Sequence, residues 1–398
     1  MNTKLNLAVG AALLAAASSA NAGIMIPAGD WTLDIGGVVN AYYTSTRSSG
    51  AGAGLGANNA TGSNTESNIT TGLLPNYLSV SGKTRQNDLD VGFTISINPG
   101  ASTTNSGIQS ANQENRQAFL TFGDKSWGSI KLGKDLGIYA SDAILNDMTL
   151  LGVGSGAGFL AGNTTTLGRI GSGFMYADWK SQVAYSSPNW NGFSFTAGVT
   201  QAWNSNAALP NSAISTGRGG SSPAFEGKAA YEWAGDFGGK VWVSGISQKV
   251  DGLSAGGSDR ANAWDLGATV NVAGFGLTGY YGQGTGTGTT VLLRDGFDLQ
   301  GNSRDSDDYY VQGTYTLPGV GTKLGVSYGK STLDGNGTGD TLNEYSNRMW
   351  TIGAYHPITK HLNLVAEYSD VRGEFKLDNT PSTDGKAKTI ALGAILFF

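Results

Sequence analysis

The sequence predicts an all-β protein, a 16-stranded antiparallel transmembrane β-barrel, and three observations lead there. Apolar and polar residues alternate with period two from Trp31 to Phe398, in segments of about ten residues, the length of a tilted strand that crosses a bilayer. The connections between these segments alternate short and long along the chain. The composition is glycine-rich and charge-poor: 62 glycines in 398 residues, with 14% charged residues against a usual value of ~25%.

The first 22 residues stand apart from this pattern. Lys4 gives a basic start, Leu5 to Ala17 an apolar stretch, and Ala20-Asn21-Ala22 a small-x-small cleavage site before Gly23. Residues 1–22 therefore read as a secretory leader and 23–398 as the barrel. Losing the leader removes Lys4 and no acid, which takes the net charge from −5 to −6. Beyond it nothing approaches the ~18 uninterrupted apolar residues of a membrane helix. Lys+Arg of 25 against Asp+Glu of 30 leaves no basic excess for nucleic acid. With no cysteine, disulfide scaffolds and thiolate metal sites are excluded.

Each strand segment sorts its residues by face. At 89–97, Leu89, Val91, Phe93, Ile95 and Ile97 oppose Asp90, Gly92, Thr94, Ser96 and Asn98. At 31–43, Trp31, Leu33, Ile35, Val39 and Tyr43 oppose Thr32, Asp34 and Asn40; at 192–203, Phe193, Phe195, Ala197 and Val199 oppose Ser194, Thr196 and Thr200. Short turns fall near 86–88, 123–128, 188–192, 235–239, 273–274, 318–321 and 357–360. Long loops fall near 48–72, 99–113, 137–174, 204–222, 251–260, 285–306, 333–343 and 375–384. Fifteen connections make sixteen strands with both ends on the short-turn side, as a closed antiparallel barrel requires. The apolar face, with aromatics near strand ends (Trp31, Tyr43, Tyr315, Tyr368), is expected to meet lipid. The polar face suits a water-filled lumen, because a dry core would leave so many polar groups unpaired. The last strand ends on Phe398, which shares a face with Ile390, Leu392, Ala394 and Leu396, and a terminal aromatic of this kind resembles an outer-membrane assembly signal.

Several strings look like family motifs. Asn115-Arg116-Gln117-Ala118-Phe119-Leu120, Gly128-Ser129-Ile130-Lys131-Leu132-Gly133-Lys134 and Tyr185-Ser186-Ser187-Pro188-Asn189-Trp190-Asn191-Gly192-Phe193 occur in order along the strand count. In these the chain resembles the trimeric general porins of Gram-negative outer membranes, over about residues 31–398. The resemblance implies a homotrimer that passes small hydrophilic solutes and ions by passive diffusion, without a cofactor, in contact with outer-membrane lipid and its assembly machinery. It also implies that the third loop, here 137–174, folds into the barrel and narrows it. Asp142 and Asp147 resemble the acidic positions on that loop, and Lys134 stands where the family has an eyelet arginine. One expected carboxylate is missing, since Thr149-Leu150-Leu151-Gly152 follows the acidic tip.

Parity supplies a facing wall independently. Lys83 and Arg85 lie opposite Leu78 and Val80, Lys131 opposite Ile130 and Leu132, and Lys180 opposite Val183 and Tyr185, so all four should face the lumen. Parity alone sends Lys134 outward with Leu132; an inward place for it requires the strand to end there. Carboxylates on the loop and cations on the wall would set a transverse field across the opening. An alternative is a substrate-selective channel, for a sugar or organic anion, in which Tyr139, Phe159 and Tyr176 guide the solute. A second alternative is a binding surface formed by loops 48–72 and 285–306.

Enzyme-like strings have plainer readings. Gly325-Val326-Ser327-Tyr328-Gly329 matches a nucleophile elbow but lies inside an alternating strand, while His356 and His361 flank a short turn elsewhere. Gly274-Phe275-Gly276-Leu277-Thr278-Gly279 joins two strands and has no helix to receive a phosphate. The stretch Asp334–Asp340 resembles a calcium loop but has Tyr345 at the twelfth position, and it reads as a solvated loop; Asp305, Asp307 and Asp308 read likewise.

Overall fold

A computed structural model describes residues 23–50, 65–102, 113–156, 164–209, 212, 221–253, 257–337 and 339–398. The leader expected at 1–22 and Phe159 lie outside the described residues. Among these residues nineteen strands form one closed antiparallel sheet. They are β1 (Ile24–Ala28), β2 (Trp31–Gly50), β3 (Thr65–Thr70), β4 (Tyr77–Gln86), β5 (Leu89–Pro99), β6 (Gln113–Glu114), β7 (Ala118–Asp124), β8 (Gly128–Leu136), β9 (Trp179–Ser186) and β10 (Phe193–Thr200). Then follow β11 (Ala224–Trp233), β12 (Phe237–Asp251), β13 (Ser258–Val272), β14 (Phe275–Thr285), β15 (Asp305–Thr316), β16 (Lys323–Asp334), β17 (Leu342–Pro357), β18 (Leu362–Leu377) and β19 (Thr383–Phe397).

The nineteen strands make sixteen staves, because three staves are split in two. Both β3 and β4 pair with β2, along Tyr42–Arg47 and Thr32–Val38 respectively. Both β6 and β7 pair with β5. Both β1 and β19 pair with β2, β1 along Trp31–Ile35 and β19 from Val38 to Gly50. The barrel thus closes through a stave built from its two ends. The alternation correctly implied the barrel, but it began the first strand at Trp31 and did not include Ile24–Ala28.

Closure depends on a close approach. Gly37 and Phe398 exchange two backbone hydrogen bonds, 2.7 and 3.0 Å, and the Phe398 ring lies over Gly37. A Cβ at position 37 would stand 2.3 Å from the Tyr77 carbonyl oxygen and 2.7 Å from that ring, so only glycine fits. The short turns follow their local chemistry: Asn87 and Asp88 both take positive φ, as do Ala273 and Gly274, which is the geometry of a two-residue hairpin.

The faces sort as the alternation requires. Outward residues such as Val39 (55% exposed), Ile95 (55%) and Leu277 (65%) present an apolar surface. Asn40, Tyr42 and Thr44 on the opposite face of β2 are buried. Outward aromatics cluster at both ends of the apolar band, including Trp190 stacked on Phe193 and Trp350 against Tyr368. Replacing Gly37 by valine should displace the Phe398 ring and cost roughly 1–3 kcal/mol by overpacking. Thermal unfolding in detergent micelles measures this, and a midpoint unchanged from the native protein would show that the closure tolerates a side chain.

Candidate pore constriction

The segment after β8 has no strand alternation, and it enters the barrel instead. Ala140, at a left-handed φ of 60°, turns the chain into a short helix, α1 (Ser141–Asn146). The Asp147 carboxylate then accepts from the Thr149 N–H at 3.1 Å and its hydroxyl at 2.5 Å, capping a 3-10 turn (Met148–Leu151). A backbone of this kind, away from bulk water, needs partners for its polar groups. The inward face of the wall supplies them.

Several wall residues bolt the loop. Glu226 on β11 accepts the consecutive N–H groups of Ile138 and Tyr139 at 2.9 and 2.8 Å. Across the barrel, Glu367 on β18 accepts those of Val153 and Gly154 at 2.7 and 2.8 Å. Between them, Gln312 on β15 accepts from the Met148 N–H at 2.6 Å and donates to the Asn146 carbonyl at 3.0 Å. Tyr310 donates to the Ala143 carbonyl and Tyr42 to that of Leu151. On its return the loop sends Arg169, fully buried, to the Met349 carbonyl at 3.0 Å and to the Ser327 hydroxyl. Ile144, Met148, Leu150, Ile170 and Phe174 pack with Tyr42, Tyr280, Tyr310 and Tyr355 into an apolar core inside the barrel.

The predicted site residues separate into distinct places. Asp142 faces the wall, where its partners are Lys228 (3.0 Å) and Lys240 (2.6 Å), two residues that the expected wall set does not include. Burial alone would raise this carboxyl, yet the two ammonium groups outweigh it and hold it at about 2. Asp147 is buried beside Arg169 at 3.8 Å, within the same loop, and not across an opening from a wall cation. Lys180 is buried, with its ammonium on Glu226 at 2.7 Å, and so steadies the loop's root. Lys131 faces the lumen and pairs with Asp135.

Two wall residues lie elsewhere. Arg85 sits at the short-turn rim, bound to Asp90 at 2.8 Å and Asp124 at 2.9 Å; Lys83 is exposed on the same face of β4. Lys134 does not turn inward. Strand β8 continues to Leu136, keeping Lys134 in register with Ala118 and Ser181 on the outward face, where it donates to the Asn115 carbonyl at 2.7 Å. The parity of the strand therefore outweighs the family position. Parity could have found Lys228 and Lys240, which lie inward beside outward Gly227, Ala229 and Val241; the height at which the loop meets them could not be read from it.

A second loop also enters the mouth. Leu293, Phe297 and Arg304 of the 285–306 connection are fully buried, and the Tyr176 N–H donates to the Thr290 carbonyl at 2.9 Å. Arg304 is bidentate on Asp340 at 2.7 Å and reaches Ser212 at 2.8 Å, so three long connections are fastened together. Asp340, in a stretch expected as a solvated loop, is held in this pair. Residues 285–306 are for the same reason a poor candidate for a free binding surface. Tyr139 and Tyr176 are packed away too, which removes two of the three aromatics proposed to guide a solute.

Open space remains on either side of α1. A cavity of about 670 Å³ lies toward the short turns, bounded by Asn146, Met148 and Leu151 and by Thr269, Asn271, Thr314 and Lys323. A narrow gap of about 50 Å³ lies between Ser141 and Leu145 of the loop and wall residues Gln117, Lys131, Asp135, Gln182 and Lys228.

The sequence profile of the Gram-negative porin family matches residues 8–376. The chain belongs to the Gram-negative porins. It is an outer-membrane channel for passive diffusion. The porin is similar in fold to the outer-membrane channel DcaP of Acinetobacter baumannii, with a TM-score of 0.66 and 16% identity over 94% of this chain and 99% of that one. It also resembles an anion-selective porin from Comamonas acidovorans (TM-score 0.61, 15% identity, 92% and 100% coverage). A third similar structure is Salmonella typhi OmpF in complex with daunomycin (0.57, 17%, 93% and 100%). No curated protein matches by sequence.

Removing Glu226 would orphan two loop N–H groups and leave Lys180 as a buried unpaired cation. Glu226→Ala should therefore lower the unfolding free energy by roughly 3–5 kcal/mol. Glu226→Gln, which keeps an acceptor, should cost less. Denaturant titration in micelles checks both, and equal losses for the two would show that the carboxylate's charge, not its bonds to the loop, matters.

Proposed function

We propose that this porin passes small hydrophilic solutes and ions through the gap between α1 and the wall of β7–β11, as a homotrimer and without catalysis. The observation that carries the reading is the position of Asp142, fixed between the loop and two wall lysines beside that gap. Lys131 and Lys228 stand on the gap's wall and Asp135 and Asp142 neutralise them by direct contact. With charges so paired, a general polar passage fits better than a strongly selective one. Asp147 serves as a loop cap in this reading, and Lys83 and Arg85 line the short-turn vestibule and rim. Phe398 is proposed to carry the assembly signal. The trimer rests on family likeness; one similar structure is described as a trimer form of Vibrio cholerae OmpT.

Single-channel recording in planar bilayers tests the role of Asp142. Asp142→Asn should release Lys228 and Lys240, shift the reversal potential in a salt gradient toward anions, and raise the open-state noise as α1 loosens. An unchanged reversal potential would remove Asp142 from the conduction path. Native trimers should open in triplets; single steps from cross-linked species would contradict the trimer.

The same carboxylate sets a pH expectation. Its folded value, about 2, lies below the unfolded carboxylate value of ~3.9. The stabilisation it gives is therefore complete above the unfolded value and lost as pH falls through about 2. Selectivity should stay flat with respect to this group from about pH 5 upward, and a titration of reversal potential near neutrality that Asp142→Asn abolishes would contradict it.

A further inference from the structure

Two buried acids on the inner wall serve neither the loop bolts nor the constriction. Cross-strand register sets Asp265 on β13 and Asp308 on β15 at one level, on either side of Gly282 of β14. Trp264 and Leu266, beside Asp265, are 42 and 48% exposed on the lipid side, so Asp265 points inward. Asp308 shares its face with the buried Tyr310. Its place corrects the expectation of a solvated loop acid, since β15 carries it into the barrel, 4% exposed.

Among the described residues neither acid pairs with a lysine, arginine or histidine. Lys228, opposite Ser244 and so two strands from Asp265, is spent on Ser141 and Asp142. Asp265 is nonetheless held as an ionised group. The Ser244 hydroxyl accepts the Ala140 N–H at 3.1 Å and gives its own proton to Asp265 at 2.7 Å. Tyr280 directs its hydroxyl to the other carboxylate oxygen at 3.5 Å. Asp308 is hydrogen-bonded by Ser331, but its Oδ1 is buried with no donor and no acceptor in reach.

A second oxygen in this place is also unsatisfied. Thr287, on the 285–306 connection, is fully buried and its hydroxyl has no partner. It stands over Gly284, the next inward position of β14 after Gly282, where a Cβ would collide with it. The Tyr280 hydroxyl stands over Gly282 in the same way. Two carboxylates and two hydroxyls thus meet out of water, and buried charge of this kind is costly unless it is compensated.

We propose that Asp265 and Asp308 hold a divalent metal ion of the calcium class between the third loop and the 285–306 connection. Oxygen donors without nitrogen or sulfur select a hard cation, and calcium accepts irregular oxygen sets where magnesium demands an octahedron. No three acids or histidines gather at one point among the described residues. The two carboxylates are therefore completed by hydroxyl and backbone oxygens. The ion ties the Ala140 turn, through Ser244, to the mouth at Thr287.

Equilibrium dialysis of the EDTA-stripped trimer against radioactive calcium chloride tests this. At about 1 mM free calcium, the range of extracellular sites, the native protein should retain one more ion per subunit than Asp308→Asn. Affinity for that ion should fall roughly a hundredfold in D308N and in D265N. Thermal unfolding gives a second reading of opposite sign. Calcium should raise the native midpoint and leave that of D308N unmoved, while in EDTA D308N, freed of a buried charge, should melt above the native protein. No retention by the native protein overturns the proposal without any variant. Equal retention by native and D308N also overturns it, because the ion then lies elsewhere, as on the Asp305–Asp334–Glu344 row. So does a native midpoint that calcium leaves unmoved but that rises between about pH 7 and about pH 5, which would give the pair a shared proton.

Discussion

The architecture depends on one requirement: an irregular backbone placed within a barrel must find partners for the hydrogen bonds it lacks, partly within itself and largely on the inner wall. Strands satisfy one another, so the wall itself is self-sufficient. The loop after β8 is not, and its N–H groups are taken two at a time by Glu226 and Glu367 from opposite sides of the barrel. A carboxylate is well suited to this because one oxygen can accept both donors while the other accepts elsewhere. In Glu226 the second oxygen takes Lys180 and Thr200; in Glu367 it takes the Tyr355 hydroxyl. The burial of these acids is thereby offset, and the position of α1, hence the width of the gap, follows from the spacing of the bolts.

This requirement also explains why the charges at the constriction sit in contact and not at a distance. A carboxylate facing open water across a wide pore would keep its hydration and could sustain a field between separated charges. Asp142 is nearly fully buried, so it must be paired, and two lysines from neighbouring strands provide that. Asp147 meets the same condition more locally, through Thr149 and Arg169. The field expected from loop acids and wall cations is therefore largely collapsed into ion pairs, and the polar amides Gln117 and Gln182 make up much of the remaining wall.

The barrel was legible in the chain because its information is local. Alternation tells outward from inward for each residue, as in Val39 and Asn40, and the order of turn lengths counts the staves. The same rule sends Lys131 and Lys180 to the inner face, and Lys134 obeys it against its motif. What period two cannot carry is which height of one strand meets which part of a loop across the lumen. That is why parity alone does not bring Lys228 and Lys240 to the loop, and why it cannot tell that Arg85, on the inner face, stands at the rim and not at a constriction. Arg304 and Asp340 escaped for a related reason: each looks like an ordinary loop charge until 285–306 and 333–343 are brought together.

That last pair changes how the mouth should be understood. Arg304 has its Nε and one terminal nitrogen on Asp340 and its other on Ser212 and the Asp295 carbonyl, all out of water. Burying such a pair is costly unless each donor is used, and here the fork is occupied from three directions. Phe297, Leu293 and Leu253 give the apolar contact beneath it. The long connections are thus fastened to one another above the lumen while the third loop is fastened to the wall within it, and the Tyr176–Thr290 bond joins the two layers. A solute entering from the loop side meets a mouth shaped by this clasp before it reaches Asp142, so the clasp and the constriction act in series on the same path.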